Sequence, residues 1–101
     1  MNTSASKKYM DEIIKIRSTY EVTLLSHSSV NIILRNIYIQ NGCVGILDPL
    51  KFYERFGIFG TRQIVNEGEQ SVTVKLENRA SEIVQFETGC VFAELRIISL
   101  A

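Results

Sequence analysis

The sequence predicts one small all-β domain, an antiparallel sandwich or barrel. Three observations carry that expectation. Segments rich in β-branched and aromatic residues recur at spacings of about ten residues. Most of them alternate apolar and polar side chains, as a half-buried strand does. Gly, Asn, Ser and Asp clusters separate them, and no convincing crossover helix lies between them, so the connections a parallel sheet needs are missing.

Residues 1–8 are small and polar, expected to be disordered, and residues 9–101 form the domain. Tyr9 to Arg17 fits two patterns: Met10, Ile13, Ile14 and Arg17 share a helical face, while Ile14-Lys15-Ile16-Arg17 alternates. A strand with a short irregular lead is the preferred reading. Tyr20 to Leu24 alternates, Ser26 to Ser29 is a turn, and Val30 to Leu34 and Ile37 to Ile39 are two β-forming runs. Asn41-Gly42 marks a tight turn before the apolar strand Val44 to Leu47, which Asp48-Pro49 should break.

Leu50 to Phe56 is the helical candidate, or a loop with a single turn, and Ile58-Phe59 is a short strand closed by Gly60. Gln63-Ile64-Val65 and Ser71 to Leu76 read as a hairpin around the tip 66–70, with Val72, Val74 and Leu76 on one face. Glu82 to Phe86 and Val91 to Leu100 complete the set. In the last strand Val91, Ala93, Leu95, Ile97 and Ser99 read as the core face. The opposite face holds Phe92, Glu94, Arg96, Ile98 and Leu100, a mixture suited to an interface with a charged pair inside it.

Composition narrows the function. The 101 residues are 46% hydrophobic, which suits one modest core. Eleven basic and eleven acidic side chains give a formal net charge of zero, without the basic footprint of a general nucleic-acid binder. No apolar run approaches the ~20 residues of a membrane span, and the polar start lacks a signal-peptide core, so an intracellular location without membrane contact is expected. Cys43 and Cys90 each follow a glycine and read as buried thiols at strand starts. His27, the only histidine, sits in a polar turn and has no neighbour at ligand spacing, so neither a metal nor another cofactor is expected.

The segment Gly45-Ile46-Leu47-Asp48-Pro49, then Phe56-Gly57-Ile58, Ile64-Val65, Leu76-Glu77-Asn78 and Gly89-Cys90-Val91-Phe92-Ala93-Glu94-Leu95 follow one another in a telling order. With about one gap, that order resembles the last three core motifs of the trimeric dUTPase family. The resemblance covers roughly residues 19–98, and implies a small β-sandwich or barrel of the dUTPase-like, β-clip or jelly-roll-like type. It also implies a threefold homotrimer whose chains complete each other's sites.

The chemistry of that family is mostly absent. Thr19-Tyr20-Glu21-Val22 stands at the first motif, where Glu21 keeps a carboxylate one methylene longer than the family's Asp. After Pro49 the family's Arg-Ser-Gly is replaced by Leu50-Lys51-Phe52: Lys51 keeps a charge, but the hydroxyl, the guanidinium fork and the permissive glycine are gone. Val65 matches the Asp that activates water and cannot take a proton, and Gly68 replaces the Tyr under the deoxyribose. A different gap would bring Glu67 to the base position. Glu94 replaces an amide that donates to phosphate, and the chain ends at Ala101 without the family's glycine-rich arm.

Large DNA viruses carry dUTPase-derived proteins that have lost catalysis and bind other proteins, and this chain is similar to that class. The expectation is therefore a non-enzymatic homotrimer, of viral type, in the host cytoplasm or nucleus, acting on host factors or virion components. Phe52, Tyr53 and Arg55 are the candidate partner-binding residues, with hot-spot composition, whereas Phe56 is expected in the core. The second readings are a purely structural virion or scaffold trimer, and a residual nucleotide binder or diverged hydrolase using Glu21, Lys51 and Glu67.

Overall fold

The computed structural model describes residues 12–100. They form nine strands and one 3-10 helix: β1 (Glu12–Arg17), β2 (Val22–Leu24), β3 (Ser29–Ile39), β4 (Cys43–Pro49), η1 (Lys51–Phe56), β5 (Ile58–Gly60), β6 (Gln63–Val65), β7 (Gly68–Asn78), β8 (Val84–Phe86) and β9 (Val91–Ser99). Every pairing is antiparallel. The sequence thus folds as the all-β class expected of it, and the ambiguous Ile-rich segment is a strand from Glu12 onward. The polar lead, 1–8, lies outside the described residues.

Three sheets surround one core. Their strand orders are β1-β9-β4-β6, β2-β8 and β3-β7-β5. Leu47, Leu95, Ala93 and Val65 come from the first, Val22, Leu24 and Phe86 from the second, and Ile32, Ile39, Val72, Val74, Leu76 and Ile58 from the third. Gly45 shows how close the first and third sheets come. A Cβ there would stand 3.0 Å from Ile39 Cδ1 and 3.0 Å from Leu95 Cδ1, so the position accepts no larger side chain without a shift.

Two bulges set the side-chain parity. In β3, Leu34 opposes Val72 and Ile37 opposes Gln70, so Arg35 and Asn36 together face Ser71. Asn36 takes φ 60, in the left-handed region where Asn is tolerated. This extra residue lets Ile32 and Leu34, then Ile37 and Ile39, all face the core, and it joins the two expected runs into one strand. In β9, Ile16 opposes Ala93 and Arg17 opposes Val91, leaving Phe92 as the extra residue.

Several expectations change. Segments 63–65 and 71–76 are not a hairpin: β6 pairs with β4, while β7 pairs with β3 and β5. Residues Asn66 and Glu67 therefore carry the chain from one sheet to another. Pro49 does not break β4 but ends it, opposite Ala93. Leu50 N donates to Phe92 O at 3.0 Å, so the nitrogen of Pro49 faces the other edge, where the pairing with β6 has stopped at Leu47 and Gln63. Gly60 belongs to β5 and lies so close to Pro49 that a Cβ would meet its ring at 2.4 Å. Cys43 and Cys90 are free and half-buried rather than fully buried. His27 is exposed in its turn, at φ 55.

Candidate functional site

The positions marked by sequence fall on three parts of the fold. Val65 ends β6 opposite Gly45, only 2% exposed, as a piece of core. Glu67 follows it in the exposed link, and Gly68 opens β7 opposite Ile39 at φ +106. Lys51 is the exposed first residue of η1, and Glu94 lies on β9 opposite Asp48, at the Pro49 end of β4. Glu21 is exposed immediately before β2. Among the described residues no hydrogen bond or ion pair joins any two of these six. Nor does any group of three or more His, Cys, Asp or Glu stand close enough to hold a metal ion.

The short helix η1 is built differently from the expected docking loop. Its three aromatics split. Phe52 and Phe56 are 55% and 50% exposed and contact each other edge to face, with ring centroids 5.6 Å apart. Phe56 is therefore outside the core, contrary to expectation, because Gly57 turns the chain away at φ 85 and donates to Glu54 O. Arg55 lies over the Phe52 ring at 5.0 Å, a cation–π contact.

Tyr53 points inward instead. Its ring meets Phe86 edge to face at 4.9 Å, and its hydroxyl donates to Val91 O at 2.9 Å and lies 3.2 Å from Cys90 Sγ. Burial, reinforced by the Cys90 thiol, pushes the phenol up to about 12. Tyr53 is thus a clamp that pins η1 to β8 and β9, and the exposed part of the helix cluster reduces to Phe52, Arg55 and Phe56.

The candidate assembly face also needs one correction. Phe92 is 1% exposed and belongs to the core, because the bulge turns it inward. Glu94, Arg96 and Ile98 do lie on the outer face of the sheet, while Leu100 follows the strand at 67% exposure.

Register shows what shares that outer face. Arg96 is flanked by Ile13 on β1 and Ile46 on β4, Ile46 by Ile64 on β6, and Ile98 by Val44. Five aliphatic side chains therefore share this face with Arg96. Ile13 is 52% and Ile64 63% exposed, an unusual outlay of large apolar groups on one sheet face. Beside them runs a charged row: Lys15 Nζ to Glu94 at 3.3 Å, then Asp48 held by Arg62 Nε at 2.9 Å. Sequence reading found the β9 contribution alone, since the other strands join the face only through pairing. Alternation in Val44-Gly45-Ile46-Leu47 was the available signal.

No protein-family model matches the chain, and no curated protein matches it.

Proposed function

We propose that this chain is a non-enzymatic dUTPase-like protein that assembles as a homotrimer and acts through protein–protein contacts, as the catalytically stripped dUTPase-derived proteins of large DNA viruses do. The partner is a host factor or a virion component. The observation that carries the loss of catalysis is Val65. Where the resemblance requires a water-activating carboxylate, this chain has an aliphatic side chain 2% exposed and laddered to Gly45. Such a group can neither accept a proton nor reach bulk water. The scattered positions of Glu21, Lys51, Glu67 and Glu94 support the same reading. In a trimer other chains would bring such positions together, but three of the four are carboxylates, which repel a triphosphate.

The assembly reading rests on the outer face of the β1-β9-β4-β6 sheet. The aliphatic side chains it shares with Arg96 have the composition of an interface centre, and its charged row that of a rim. The Phe52–Arg55–Phe56 cluster is then left for a different protein.

Pyrophosphate release from dUTP with magnesium tests the catalytic half. No turnover above background is expected at stoichiometric protein, and no micromolar binding of dUMP or dUTP by calorimetry. Turnover would overturn the reading and point to Glu67 as base, and tight uracil-selective binding would favour the nucleotide-binding alternative.

A further inference from the structure

Two sheets leave open edges that face one cavity. β1 is the end strand of the first sheet and β3 the end strand of the third. Between the end of β1 and the middle of β3 lies a cavity of about 340 Å³. That volume falls within the range of about 300–1,000 Å³ typical of ligand sites. Ile16, Ile32, Leu34 and Ile37 supply its apolar part, and Arg17, Tyr20 and Arg35 its exposed rim. No Asp or Glu lines it among the described residues.

The walls are fixed in place. Buried Ser18 donates its N–H to Cys90 O at 2.8 Å and accepts from Gly89 N at 2.7 Å, so the β1–β2 link is tied to the turn before β9. Arg17 Nη1 donates to Gly89 O at 2.9 Å, which orients a guanidinium that still has other donors. Across the cavity the bulge at Arg35–Asn36 presents Arg35, which forms no ion pair among the described residues.

The edge itself is the second observation. β3 has eleven residues and, among the described residues, pairs only with β7, so alternate backbone N–H and C=O groups along it point away from any described strand. Long edges are usually blunted by lysine, proline, a bulge or coverage, and of the first three β3 has only the bulge between Leu34 and Ile37. Its exposed Ile33 and Tyr38 are 49% and 62% accessible.

We propose that the open edge of β3 binds an extended acidic–apolar segment of a partner protein by strand addition. Backbone hydrogen bonds to β3 supply the affinity, one apolar side chain enters the cavity, and carboxylates on either side of it meet Arg17 and Arg35. Two guanidinium groups over an apolar floor without a nearby acid select against basic segments. The proposal needs neither the dUTPase resemblance nor the trimer.

The test is selection of a random dodecapeptide display library on the folded chain. Enriched peptides should alternate apolar and acidic residues. The best of them, made synthetically, should protect alternate β3 amides from hydrogen exchange. Arg35→Glu, on an exposed side chain, should weaken it about tenfold or more. N-methylation of the peptide's ladder-facing amides should do the same, a change that leaves side chains and the protein's fold untouched. Four outcomes would overturn the proposal: no enrichment, enrichment of basic peptides, binding indifferent to both changes, or β3 protection appearing without peptide as concentration rises, which would make a second copy the occupant.

Discussion

At the end of β7, Asn78 is fully buried and satisfies three backbone groups. Its Nδ2 donates to Leu24 O at 3.1 Å and Glu82 O at 2.8 Å, and its Oδ1 accepts from Ala80 N at 2.9 Å. One amide thereby ties β2, β7 and the 78–82 turn together. An apolar residue of that size would remove all three bonds and leave the buried contact at Leu24 O without its amide donor. Asn78→Ala should therefore cost about 2–4 kcal/mol in a denaturant titration, and Asn31→Ala, on an exposed position of β3, no more than about 0.5 kcal/mol. Equal losses would remove the structural role given to Asn78. The sequence marked Leu76-Glu77-Asn78 only by its place in the order of segments, because the triplet looks the same whether the amide points out or in. Val65 was more legible: its side-chain type alone excludes proton transfer, and the core position adds why the fold keeps it apolar.

Elements were read well where alternation was strict and poorly where pairing partners decided. Val72, Val74 and Leu76 face the core as their period of two requires. The interruption between Leu34 and Ile37 was visible as a broken period and meant a bulge within one strand, not two strands. The partner of β6 could not be read, since a three-residue strand next to a turn looks like half a hairpin whichever sheet takes it. Phe92 was misassigned for a related reason, because alternation counted through an unseen bulge puts the wrong residue outside.

The short helix η1 gives the element-scale prediction. Its anchor is the Tyr53 phenol, neutral in the fold and pushed up to about 12. The unfolded phenol ionises near its ordinary value of 10.0. Between those values the unfolded chain holds fewer protons than the folded one, so stability falls as pH rises from about 10 towards 12 and is complete below 10. Chemical denaturation at a series of alkaline pH values should show that loss, and Tyr53→Phe should flatten it while lowering stability at neutral pH through the lost bond to Val91 O. An identical alkaline slope in the two proteins would refute the clamp.

At the scale of the whole molecule, the fold separates three surfaces. The aliphatic sheet face that holds Arg96, the aromatic cluster on η1 and the open edge of β3 lie on different elements, so one chain has room for self-assembly and for other proteins at once. The all-β class and most strands were legible from the sequence. The aliphatic face was not, because β1, β4, β6 and β9 contribute side chains from four distant segments that only the sheet order brings together. That face is the candidate assembly surface. Ile98 lies on it, half-buried in the single chain and opposite Val44, so replacing it leaves the core intact. Light scattering at micromolar concentration should give the wild-type chain three times 11.5 kDa, about 34 kDa. Ile98→Asp would place an unpaired carboxylate in each of the subunit interfaces and should scatter as an 11.5 kDa monomer with unchanged β-sheet circular dichroism. A wild-type monomer would contradict the assembly, and a trimer indifferent to Ile98→Asp would contradict the face assigned to it.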